Sequence, residues 1–173
     1  VDPEPFDRIV TRHGITVLRV CRAVLGPTAD AEDAWSETFL AALRAWDGLR
    51  ADSNVEGWLV TIAHRKAIDV VRRRARHAVP VDVVPEGRGA HRLDRDASAV
   101  VAPDHLPDED LWAAVAALPE RQREAVALHH VGGLPHKEVA VILDSTPAAV
   151  RKASSDGIRR LRRVLATTPA TGR

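Results

Sequence analysis

The stretch LPHKEVAVILDSTPAAVRKASSDGIRRLRRVLA, Leu134–Ala166, decides how the rest of the chain is read. Glu138, Val139, Ala140, Ile142 and Leu143 give a short helix an apolar face, with a small residue where a second helix must come close. Asp144 suits a turn, and Thr146 before Pro147 joins an N-cap side chain to the residue preferred at the first helical position. The segment therefore has the layout of a helix-turn-helix with a tight four-residue connection. At about 100° per residue, Val150, Ala153, Ser154, Gly157, Ile158, Leu161, Val164 and Leu165 share one arc of the second helix. Ala148, Arg151, Lys152, Ser155, Arg159, Arg162 and Arg163 share the other. A cationic outer face of this kind suits phosphate binding and, near the helix start, base edges in a major groove.

Two residues break the pattern of that helix. Gly157 falls on the buried arc, where a missing side chain lets two helices lie close at a propensity cost of roughly 1 kcal/mol. Asp156 lies at the edge of the basic arc, four residues from both Lys152 and Arg160, and is expected to pair with either and narrow the DNA-contacting strip.

Upstream, the chain reads as helices. In PFDRIVTRHGITVLRVCRAVLG, Ile9, Val10, Val17, Leu18, Cys21, Val24 and Leu25 form an apolar stripe that stops at Gly26-Pro27. DAEDAWSETFLAALRAW follows, with Asp30 as expected N-cap, Glu32 and Asp33 in the first turn, and Ala34, Trp35, Thr38, Phe39, Ala42 and Leu43 as its apolar set. Ser53 and Glu56 make a capping-box pattern before a long third helix that ends in Arg72, Arg73, Arg74 and Arg76. From His77 to about Pro107, Pro, Gly and mixed charges replace helical periodicity, as in a linker. Helical patterning resumes with DEDLWAAVAAL and PERQREAVALHHV, and Gly132-Gly133 ends that run.

Bulk properties agree with an all-α chain of two small domains, 1–77 and 108–173, joined by 78–107. Aromatic residues make up 3% and Tyr is absent, which favours helix over sheet. A single cysteine, Cys21, excludes an internal disulfide and sits where burial is expected. No apolar run approaches the ~20 residues of a membrane span, so the expected location is the cytoplasm. The absence of Met, position 1 included, reads as a numbering that starts inside a longer gene product or after a removed tag. Net charge is only +1, but it conceals an acidic second helix and two basic helix ends.

Neither an enzyme nor a metal site is expected. There is no Gly-rich phosphate loop and no nucleophile–base pair, and His64 with one acidic helix does not supply the several inward carboxylates of a helical metallohydrolase. His129, His130 and His136 cluster in sequence without Cys or matched metal-ligand spacing. No cofactor is expected.

Three segments in order resemble the extracytoplasmic-function (ECF) group of RNA polymerase sigma factors. DAEDAWSETFLAALRAW is similar to its acidic AEDxxQExF helix, EGWLVTIAHRKAIDVVRRRAR to its WLxxIAxNxxxDxxRR helix, and LPERQREAVALHHVGGLPHKEVAVILDSTPAAVRK to its promoter-binding domain. The resemblance implies two helical domains that bind core RNA polymerase, at its β′ clamp helices and β flap, and promoter DNA, with an anti-sigma factor as regulator. It puts Asp33, Ser36 and Glu37 at polymerase. Asp52, Ser53, Asn54, Trp58, Arg65, Lys66, Arg72 and Arg73 fall at the −10 element, with Trp58 open to a core or a base-stacking role. Arg151, Lys152, Ser155 and Arg159 fall at the −35 element, and the acids Asp108, Glu109 and Asp110 in the polymerase channel. Ser36 replaces the usual Gln of the group, Arg65 an Asn, Ala153 and Asp156 two Arg, and Gly157 an Ala. A stand-alone helix-turn-helix regulator, or a sigma-like regulatory protein with impaired promoter reading, is the alternative.

Overall fold

The computed structural model describes residues 5–50, 52–77 and 109–167. The linker reading, 78–107, and Asp108 lie outside the described residues. Among the described residues, seven α-helices run in the order α1 (Phe6–Leu25), α2 (Ala29–Ala45), α3 (Val55–His77), α4 (Glu109–Ala116), α5 (Glu120–Ala125), α6 (His136–Ile142) and α7 (Pro147–Thr167). A 3-10 turn, Trp46–Gly48, follows α2, and a π-helical turn, Val126–Val131, continues α5. No strand occurs among the described residues.

The first three helices pack mutually around the predicted stripe of α1, and Gly26 ends α1 at φ 78°, a conformation glycine reaches without penalty. Trp35 is 1% exposed, and its indole N–H donates to the Gly14 carbonyl at 2.9 Å, so the largest apolar side chain of α2 is buried with its polar atom satisfied. Truncation of such a residue to Ala costs about 3–5 kcal/mol. Phe6, Phe39, Trp46 and Trp58 extend this core as a chain of ring contacts at 4.9–6.4 Å that starts from Trp35.

Three local expectations change. Thr28, not Asp30, precedes α2, and Asp30 instead pairs with Arg74 of α3. Asn54 caps α3 in place of Ser53: its Oδ1 accepts the Gly57 N–H at 3.0 Å, while Glu56 turns away to His13 Nδ1 at 3.0 Å. Leu43 is 53% exposed, because the buried face of α2 runs through Ala31, Ala34, Trp35, Thr38, Phe39 and Ala42 and leaves position 43 outside it.

In the C-terminal half, α5, α6 and the π-helical turn pack on α7, and α4 packs on it as well. Asp144 takes φ 46° in the connection between α6 and α7, and Thr146 Oγ1 accepts the Ala149 N–H at 3.2 Å, as the turn chemistry predicts. Gly157 is buried on α7. A Cβ there would stand 2.8 Å from Val126 Cγ2, so close approach to the π-helical turn explains the glycine. Val164 and Leu165, on the predicted buried arc, are 47% and 38% exposed, since α7 outruns its neighbours.

The two halves also share one core. Val20 and Ala23 of α1, off the predicted stripe, are fully buried, and α4 and the π-helical turn lie against α1 from the C-terminal side. A Cβ on Gly132 would approach Val60 Cγ1 to 2.6 Å, and one on Gly57 would meet Leu134 Cδ2 at 3.1 Å. Helices α1 and α3 are thus buried on two sides.

Candidate nucleic-acid interface

The outer face of α7 carries Arg151, Lys152, Ser155 and Arg159, all exposed and brought together by helical spacing. Ser154, one position round, turns inward, where its Oγ meets His130 Nε2 at 2.8 Å. Asp156 stands between the cations. Its Oδ2 accepts from Lys152 Nζ at 3.0 Å and its Oδ1 from Arg159 Nη1 at 3.1 Å, so the second partner is Arg159 and not Arg160. The Lys152 hydrogen bond is the chief cause that holds the Asp156 carboxyl below its usual range.

The three histidines near this face are held by the fold. His129 Nδ1 lies 2.7 Å from the Leu134 carbonyl, and its ring stacks on His136 at 3.7 Å. Burial first, and then the neighbouring His129 and His136, lower the His130 pKa; burial, His129 and Arg151 lower that of His136.

The −10 candidates separate into two groups. Asp52 pairs with Arg50 at 2.9 Å, a contact that lowers its pKa, beside half-buried Ser53 and the capping Asn54. Trp58 is half-buried with its ring centroid 6.4 Å from that of Trp46. On α3, Arg65 and Arg72 line a groove of about 320 Å³ with His64, Asp69, Glu124 and Asp144. Lys66 and Arg73 face the other way, toward α2: Lys66 Nζ lies 3.3 Å from Glu37 Oε2, and Arg73 lines a cavity of about 590 Å³ with Asp30, Asp33 and Glu37. The basic end of α3 is therefore divided between two surfaces by the helix turn.

On α2, Asp33, Ser36 and Glu37 are exposed on one side. Leu40 and Leu43 continue that side at helical spacing and are 54% and 53% exposed. Sequence reasoning placed Leu43 in the core and left Leu40 aside; the offset of both from the Trp35–Thr38–Ala42 stripe was the available signal. Glu124 was missed as well. Its Oε1 lies 3.6 Å from the buried His64 Nε2, across the contact between the halves.

Together these features define a two-part helical protein with an acidic, leucine-bearing helix in one part and a cation-faced helix-turn-helix in the other. Comparison with known proteins gives the family. Sigma-70 region 2 matches residues 9–77, and Sigma-70, region 4 matches residues 108–161. The chain is 31% identical over 170 residues to the ECF RNA polymerase sigma factor SigE of Mycolicibacterium smegmatis, an alignment that covers 93% of this chain and 62% of that protein. It is 28% identical over 156 residues to the ECF RNA polymerase sigma-E factor of Salmonella typhimurium, covering 87% of this chain and 81% of that one. Its fold is similar to sigma factor RpoE of Bartonella quintana, solved with the anti-sigma factor NepR (TM-score 0.69, 20% identity, 95% of this chain and 98% of that one). It is also similar to CnrH, solved with the cytosolic domain of CnrY (TM-score 0.60, 21% identity, 95% and 89%). The chain belongs to the ECF group of RNA polymerase sigma factors. A region 2 over residues 9–77 disfavours the stand-alone helix-turn-helix regulator. Among the described residues, no helix is long and apolar enough to cross a membrane.

Proposed function

We propose that this chain is a promoter-specificity subunit that binds core RNA polymerase in the cytoplasm, directs it to −10 and −35 elements, and catalyses no reaction itself. The observation that carries the reading is the pairing of sigma regions 2 and 4 in order with the surfaces such a subunit needs. Residues 1–77 are the polymerase and −10 domain. Within it the α2 side of Asp33, Ser36 and Glu37 docks on the β′ clamp helices, and exposed Leu40 and Leu43 support a protein partner there. Asp52, Ser53, Asn54 and Trp58, with Arg65, Lys66, Arg72 and Arg73, hold the −10 strand, Arg65 and Arg72 from the groove side and half-buried Lys66 with exposed Arg73 from the side toward α2; a half-buried aromatic and nearby cations are suitable groups for a single strand. Residues 108–173 form the −35 domain, which contacts the β flap and reads DNA through Arg151, Lys152, Ser155 and Arg159. RpoE of Bartonella quintana, of similar fold, was solved with the anti-sigma factor NepR, which supports a regulator of that class here.

Run-off transcription tests this. Purified core polymerase is supplied with a pool of genomic promoter fragments, with and without the protein, at fixed salt. New transcripts that share an upstream element are the expected result. Failure to bind core overturns the reading, and tight core binding without specific transcripts would favour a regulatory protein that has lost promoter reading.

A further inference from the structure

Helix α7 carries six cations, Arg151, Lys152, Arg159, Arg160, Arg162 and Arg163, and a single acid, Asp156. That acid is placed between the two turns that bear Lys152 and Arg159, and each of its oxygens takes one of them. The cations are 80% and 71% exposed in their side chains, whereas the carboxylate is 27% exposed. The acid is therefore the anchored partner, and the long basic side chains fold toward it.

We propose that Asp156 is a positioning residue for DNA recognition, which keeps Lys152 and Arg159 off the phosphate backbone so that α7 discriminates sequence and does not bind every duplex. The proposal rests on the reading of α7 as the DNA-contacting helix. If both cations moved to phosphates, Asp156 would be left unpaired against a polyanion, a repulsive term that any sequence incurs. A matched base step avoids it. Lys152 and Arg159 can donate to guanine O6 or N7, and the free lone pairs of Asp156 can accept from cytosine N4, without the ion pairs being given up. The acid thus penalises the sequence-independent contact and spares the sequence-dependent one.

The test compares wild type with Asp156→Ala and Asp156→Asn, as full chains checked for helicity and melting. Each is titrated by fluorescence anisotropy onto duplexes of random sequence, about 30 base pairs long, over a range of salt. Each released cation adds about 0.9 to the slope of log affinity against log salt, so two steepen it by about 1.8. A fourfold rise in salt should then cost either variant about tenfold more affinity than it costs wild type. Both variants should also recover a less defined sequence when duplexes are selected from the same pool. An unchanged slope, weaker binding by the variants, or an Asp156→Asn that behaves as wild type would overturn the proposal. A steeper slope in the variants with no promoter-specific transcript from core polymerase would uphold it and sink the sigma reading of this chain instead.

Discussion

A methyl group added at Gly132 tests the packing of the two halves directly. The Gly132 Cβ position lies 2.6 Å from Val60 Cγ1 in the N-terminal half and 2.9 Å from the Leu128 carbonyl oxygen in its own half. Both distances are below van der Waals contact, and insertions of this size into a packed core cost about 1–3 kcal/mol. Val60 is fully buried, and Val60→Ala alone should cost about 2 kcal/mol through lost transfer energy and the cavity left behind. Combined, the new methyl enters the space that the valine vacates. The double variant should therefore be more stable than the sum of the two singles by about 1–2 kcal/mol, the remainder being strain against Leu128. Urea denaturation of the four proteins measures this. Additivity to within about 0.5 kcal/mol would mean that the halves do not meet at this point in solution, and the argument for one shared core would fail. The same interface bears on function. On the proposed function, −35 and −10 elements about 25 base pairs apart are separated by about 85 Å along the duplex, against a diameter of about 40 Å for a compact chain of this length. Promoter engagement is accordingly expected to part the Val60–Gly132 contact, and Gly132→Ala to raise the affinity for core polymerase.

Further outcomes follow from the same geometry. His130 and His136 have pKa values below the ordinary 6.5, so below about pH 6.5 the unfolded chain binds protons that the folded chain does not. Their contribution to stability is present above that pH and is lost as pH falls toward the folded values. Melting temperature should drop with acidification in this window, less steeply in His130→Gln; equal slopes in the two proteins would refute the assignment. Cys21 is fully buried and its thiol is pushed up to about 12, so thiol reagents at pH 8 should label it only through unfolding, and rapid labelling of the folded protein would contradict the packing of α1. Leu40 is half-exposed, so Leu40→Glu should leave melting unchanged yet weaken core polymerase binding about tenfold; undiminished binding would remove α2 from that interface.

The sequence by itself determined the helical class, the helix-turn-helix and the end of α1, because each is written in neighbouring residues: Thr146-Pro147, Asp144 and Gly26-Pro27 act over a few bonds. It also carried the close approach at Gly157, since a helical wheel places that residue inward without knowledge of what it meets. Tertiary structure alone decided what depends on distant partners. Asp30 looked like a cap until Arg74, 44 residues on, supplied a counter-charge, and Ser53 yielded to Asn54 once Glu56 was drawn to His13. Helical spacing separates Arg65 and Arg72 from Lys66 and Arg73, but only the packing of α2 decides that the second pair meets the acids of that helix while the first lines the groove. Burial of Val20 and Ala23 and the fit of Gly132 against Val60 were equally invisible, because periodicity reports that a face is apolar and not which surface will cover it.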